Sequence, residues 1–92
     1  MYLEIVSPEA TLFSGEVKSV TVPGINGEFQ MLQGHAPVVS LLQEGNVKVE
    51  GNVTIEEEHE GLFTKDASGK TILAIASGTI ELKDNKVIVL AD

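Results

Sequence analysis

An all-β fold is predicted by three features of this 92-residue chain. Apolar residues alternate with polar ones over short runs, as at Val47, Val49, Val53 and Ile55, which is the period of a half-buried strand. Turn signals recur at Ser14-Gly15, Asn26-Gly27, Glu44-Gly45, Gly51-Asn52, Ser68-Gly69 and Asp84-Asn85, leaving room only for short elements. No stretch carries an apolar stripe of helical period with caps at its ends. A sandwich or barrel is the expected outcome.

In chain order, Tyr2-Leu3-Glu4-Ile5-Val6 reads as a strand at the very start, with no basic segment of a signal peptide before it. Next comes Pro23-Gly24-Ile25-Asn26-Gly27-Glu28-Phe29, and after Gln30-Met31-Leu32-Gln33 a second corner, Gly34-His35-Ala36-Pro37. Proline fixes φ and removes a donor, while Gly24, Asn26 and Gly27 tolerate positive φ. The residue before Pro37 is pushed toward an extended conformation. Two rigid corners thus flank a short apolar strand and present Glu28 and His35 near its ends. Val47 and Val49 are expected to pair with Val53 and Ile55 in a hairpin about Gly51-Asn52. Ile72-Leu73-Ala74-Ile75-Ala76 is apolar in both phases, as for a strand buried on both faces, and Lys86 to Leu90 repeats the pattern after the Asp84-Asn85 turn.

Composition limits the function classes. With 42% hydrophobic residues the chain is globular despite a net charge of −8, and residues 1–92 are expected to form a single domain. There is no Cys, which removes disulfides and thiolate metal sites and tolerates a reducing compartment. No apolar run nears the ~20 residues of a membrane span, so a soluble, intracellular, complete domain is expected. All six basic residues are Lys, and the aromatics are three Phe and one Tyr. An acidic chain without Arg is a poor nucleic-acid binder; its charge suits solubility or basic protein partners.

Candidate chemistry reduces to structure or contact. His35 has no Ser, Cys or Asp partner that the sequence can assemble into a catalytic group. Glu56, Glu57, Glu58, His59 and Glu60 match no ligand spacing, and on a strand they alternate between faces, so they read as a solvated acidic edge or loop that discourages edge pairing. Gly69-Lys70-Thr71 lacks the upstream Gly of a phosphate loop, because Thr64 stands there; it reads as a hairpin turn. Gly24-Ile25-Asn26-Gly27 lacks the flanking helices of a KH domain. Asn52-Val53-Thr54 is a chance glycosylation pattern in a chain without a secretory signal. No catalytic, cofactor-binding or metal-ligating residue is assigned.

Gly27-Glu28, six residues, then Gly34-His35-Ala36-Pro37 resembles a signature of the epsilon subunit of F-type ATP synthases, called delta in mitochondria, in its N-terminal domain. The likeness extends through Ile5 to Glu9, Leu12 to Val17, Leu42-x-x-Gly45-x-Val47-x-Val49, Gly78-x-x-Glu81-Leu82 and Lys86 to Asp92. Gln30, Gln33 and Thr79 depart from the family's usual glycine, proline and apolar residue, and residues 53–70 match poorly. None of these touches Glu28 or the His-Ala-Pro corner.

The resemblance implies a two-sheet antiparallel β-sandwich of about ten short strands. It implies a non-catalytic rotor subunit, without a cofactor, wedged between the gamma subunit and the polar loops of the c-ring. It would couple proton or sodium flow to ATP synthesis at the cytoplasmic face of the bacterial inner membrane, peripheral and without a transmembrane segment. By position, Gly24, Ile25, Asn26, Gly27, Glu28 and Phe29 correspond to the ring contact. Ser7, His35, Ala36, Pro37, Val38 and Val39 correspond to the gamma contact. Most family members continue into a helical pair after this domain; a chain that ends at Asp92 is expected to lack that pair's inhibitory and ATP-binding roles. The alternative is an unrelated β-sandwich module that recognises a peptide or domain through the same corners.

Overall fold

Alternation along the first strand, β1 (Tyr2–Val6), sets the pattern: Leu3 and Ile5 are fully buried, while Tyr2, Glu4 and Val6 face outward and are partly exposed. In the computed structural model, which describes Met1–Asp92, nine further strands follow. They are β2 (Thr11–Glu16), β3 (Ser19–Gly24), β4 (Gly27–Leu32), β5 (Val38–Leu42), β6 (Gly45–Glu50), β7 (Phe63–Lys65), β8 (Thr71–Ile75), β9 (Gly78–Lys83) and β10 (Lys86–Ala91). A single 3-10 helix spans Glu57–Leu62. One layer runs β2-β1-β10-β9-β5; the other runs β4-β3-β6-β8-β7. Between β5 and β3 the ladder is the single pair Leu42 and Gly24, so one sheet curls there into a sandwich. Inward side chains of both layers, among them Ile5, Val22, Met31, Val47, Ile80 and Val89, form the core. Burying each such side chain contributes about 1.5–3 kcal/mol.

Pairing is antiparallel as expected, with one exception: β1 runs parallel to β10. β9 occupies one edge of β10 through the Asp84-Asn85 hairpin, and the start of the chain fills the other edge. At that hairpin both Asp84 and Asn85 have positive φ, 51° and 62°, the backbone of a tight turn that matches strand twist.

Several sequence expectations are corrected. Ser14-Gly15 is not a turn; both residues lie inside β2. Gly15 is there because the Phe13 ring lies over it, 3.1 Å from where a Cβ would stand. The ladder register shifts between Ile5 and Val6, and this bulge turns both Leu12 and Phe13 inward. Gly51-Asn52 does not close a hairpin. β6 pairs instead with β3 and β8, and Val53 and Ile55 pack on the core without joining a ladder. Glu57 to Glu60 lie on the 3-10 helix, not on a strand. β8 buries Ile72 as well as Leu73 and Ile75, but β10 buries one face only and leaves Leu90 half exposed.

The Gly69-Lys70-Thr71 segment does close a hairpin, between β7 and β8. Asp66 Oδ1 accepts hydrogen bonds from Ser68 Oγ (2.8 Å), Ser68 N (2.9 Å) and Lys70 N (2.9 Å). The Ser68 hydroxyl foremost, then the Lys70 amide, holds the Asp66 carboxyl below its ordinary value of 3.8. A depressed carboxyl stabilises the fold above its unfolded value, and that contribution is lost as pH falls through the folded value. Asp66→Ala is therefore expected to lower stability at neutral pH. In urea titrations across pH, the gap to wild type should narrow once pH falls below 3.8.

Candidate docking surface

The first corner is a β-hairpin rather than a loop. Gly24 pairs with Gly27 and Pro23 with Glu28, leaving Ile25 and Asn26 as the two-residue tip. Gly27 has φ of 120°, which suits glycine at the point where the chain re-enters β4. Ile25, Asn26, Gly27 and Glu28 are exposed; Gly24 is buried under the Phe29 ring. The hairpin is tied at its root. The Gln43 amide donates to the Pro23 carbonyl (2.9 Å) and the Ile25 amide to the Leu41 carbonyl (3.3 Å), while the Pro23 ring rests on Gly45.

Glu28 is the second residue of β4, with half of its side chain exposed, and its carboxylate bonds Lys48 of β6 at 3.1 Å. A pair this exposed contributes about 0–1 kcal/mol, so its main effect is to fix the direction of the carboxylate. Lys48 alternates out of phase with the buried Val47 and Val49.

The second corner is also held. The His35 amide donates to the Leu32 carbonyl (3.1 Å), Gly34 has φ of 83°, and the Gly34 amide donates to Asn85 Oδ1 (3.3 Å). His35 Nδ1 donates to the Ala36 carbonyl (2.7 Å). His35, Ala36 and Pro37 are exposed. Val38 turns inward and packs against the core, whereas Val39 is 75% exposed.

Ser7 is not brought beside His35. Its hydroxyl donates to the Ala10 carbonyl (3.2 Å) and accepts from the Ala10 amide (3.3 Å), closing the β1–β2 turn. The register Val6–Leu90–Thr79–Leu41 puts that turn level with the Gly24–Leu42 end of the sandwich. His35 stands at the other end, against the β9–β10 turn. What connects the two ends is the outer face of β5, β9, β10 and β1. Val39, Leu41 (59% exposed) and Leu90 (50%) project from it, with the partly covered Ile88 beside Leu90 and the partly covered Val6 beyond it. Leu41 and Leu90 are additions to the residues selected from sequence. The two-residue period from Val39 points to Leu41; Leu90 was hidden by the assumption that β10 is buried on both faces.

The family described as "ATP synthase, Delta/Epsilon chain, beta-sandwich domain" matches residues 1–92. The ATP synthase epsilon chain of Chlorobaculum tepidum is 38% identical over 90 residues, covering 98% of this chain and 86% of its own. That of Campylobacter fetus subsp. fetus is 40% identical over 92 residues, and there this chain spans 60% of the relative's length. Among solved structures, a chain of the Tetrahymena thermophila mitochondrial ATP synthase central stalk/c-ring superposes with a TM-score of 0.73 at 13% identity, covering 99% of this chain and 62% of that one. A chain of the Euglena gracilis mitochondrial ATP synthase OSCP/F1/c-ring gives 0.73 at 22% identity, covering 97% and 48%. At such identities the superpositions show a shared fold. The match across residues 1–92 removes the alternative of an unrelated module. By that match, and by its likeness to epsilon chains at 38–40% identity, the chain belongs to the ATP synthase delta/epsilon chain β-sandwich family.

Proposed function

We propose that this chain works as a central-stalk subunit of an F-type ATP synthase, joining the gamma subunit to the c-ring so that ion flow and ATP synthesis stay coupled. It is a non-catalytic component, a single domain over residues 1–92, and it carries torque by holding two partners at once. The observation that carries this reading is the pair of braced corners on a family-matched sandwich: the Gly24–Phe29 hairpin with Glu28, and the His35–Val39 segment with its exposed valine. Glu28 accepts charge-assisted hydrogen bonds from basic loops of the ring. Val39 and its neighbours on the outer face supply the apolar, desolvated part of the gamma contact. No helix is long and apolar enough to cross a membrane; the chain sits at the cytoplasmic side of the bacterial inner membrane through its partners.

The test is binding to purified gamma and to a gamma–c-ring assembly. Val39→Asp is expected to keep the fold, because the side chain already faces water, and to weaken gamma binding by burying an unpaired charge. Val38→Asp is expected to lower stability instead, since Val38 packs on the core. A wild-type chain that binds neither gamma nor the assembly would sink the proposal.

A further inference from the structure

The outer face of β5, β9, β10 and β1 has two chemically different ends. At one end the row Leu41, Thr79, Leu90, Val6 is apolar apart from a threonine. At the other, Lys83 of β9 stands directly opposite Lys86 of β10, and Lys86 is next to Tyr2. Like charges directly opposed across a ladder are destabilising. Neither lysine forms a salt bridge, although Glu81 and Glu4 stand in the row between. Lys86 rests over the Tyr2 ring, 5.6 Å from its centroid, which holds it on this face. A depression of ≈ 260 Å³ lies elsewhere, near Asp92; on this face one of ≈ 210 Å³ is lined by Pro37, Val38, Val39, Glu81, Leu82 and Lys83. It joins the lysine end to the His-Ala-Pro corner.

From this polarity we propose that the lysine pair fixes the direction in which the gamma subunit lies on the face. The partner surface is apolar over Leu41 and Leu90 and carries carboxylates over Lys83 and Lys86. This rests on the gamma-facing reading of the face and adds the partner's chemistry to it. Lys83 and Lys86 have no salt-bridge partner, the nearby Glu16 across from Tyr2 being paired with the Met1 amine, and an anionic counterpart on the partner matches them; a second copy of this chain, of net charge −8, is repelled over most of its surface. Leu90 and Lys86 are four positions apart on β10, about 13 Å at ~3.3 Å per residue. If the partner element is a helix along β10, its carboxylates lie about nine residues from its apolar contact at ~1.5 Å per residue.

The experiment measures binding of the full chain to purified gamma at low, physiological and high salt. Lys83→Gln/Lys86→Gln removes both cations on exposed positions without adding carboxylates beside Glu81 and Glu4, so circular dichroism should match wild type and the urea midpoint should fall only by what the Lys86–Tyr2 contact contributes. Its affinity for gamma at low salt is expected to fall roughly tenfold or more, and the deficit should shrink as salt rises. Leu90→Asp should weaken binding at every salt concentration. Wild-type affinity and salt dependence in the lysine variant, or tighter binding, overturns the orientation device while leaving the gamma reading in place. Leu90→Asp without effect overturns the apolar seat. No binding by the wild type overturns both readings together.

Discussion

Gly78→Ala is expected to cost more stability than alanine at any other glycine of this chain. Gly78 opens β9 and pairs with Ala91 of β10 on one side and Leu42 of β5 on the other. A Cβ at this position would collide with the Leu90 carbonyl oxygen and lie 3.3 Å from the Ala91 Cα. These are backbone atoms of a strand held by β9 on one edge and β1 on the other, so no rotamer change relieves the clash. Overpacking costs about 1–3 kcal/mol and sometimes more, and an immobile neighbour puts this site at or above the top of that range. A small domain has little to spare against it. Gly61→Ala is the control, since nothing lies within 4 Å of its added Cβ, and its urea midpoint should stay near wild type. Equal midpoints for Gly78→Ala and wild type would mean that β9 and β10 separate freely at this end.

That contact also shows where sequence reading stops. Asp84-Asn85 announces its hairpin because few other residues take positive φ in succession. Gly15 and Gly51 look like turn signals of the same kind and Gly78 like the opening of a strand, yet the reason for glycine differs at each. At Gly15 an aromatic ring needs the space, and at Gly78 a neighbouring carbonyl does. Gly51, with φ of 139°, sits beside the Val17 and Lys18 backbone. A sequence marks the glycine but not the atom that excludes a side chain, since that atom comes from a strand far along the chain. The parallel β1–β10 pair is hidden for the same reason, because the residues it joins are the most distant in sequence.

The candidate surface was legible to a similar depth. Both corners could be read from Pro, Gly and Asn, and the family signature selected Glu28 and His35. Val38 and Val39 both fall in the segment that the signature points to, but the two-residue period of β5 turns one to the core and the other to solvent. The outward phase of Lys48 is legible from Val47 and Val49, but its pairing with Glu28 is not, because the two meet across two strand pairings, β4 to β3 and β3 to β6.

Glu28→Lys is the variant with the largest expected effect on coupling. It removes the acceptor proposed for basic loops of the ring and adds a cation in its place, on a hairpin too well tied to swing away. Like charges juxtaposed at an interface cost several kcal/mol. Within the chain the new lysine would also face Lys48, whose present bond to Glu28 is 3.1 Å, but at this exposure the internal loss stays about 1 kcal/mol or less. The expected phenotype is a folded subunit that binds gamma normally, with weakened ring attachment and reduced ATP-driven proton pumping in reconstituted vesicles. Two causes could give that result: the lost ring contact, or a hairpin released from Lys48. The charge swap Glu28→Lys/Lys48→Glu separates them, because it restores the internal pair and leaves a cation at the proposed ring contact. If the ring contact matters, the swap stays uncoupled. Recovery of pumping by the swap would assign Glu28 to bracing the hairpin, and full coupling in Glu28→Lys at low and physiological salt would remove the hairpin from the ring interface altogether.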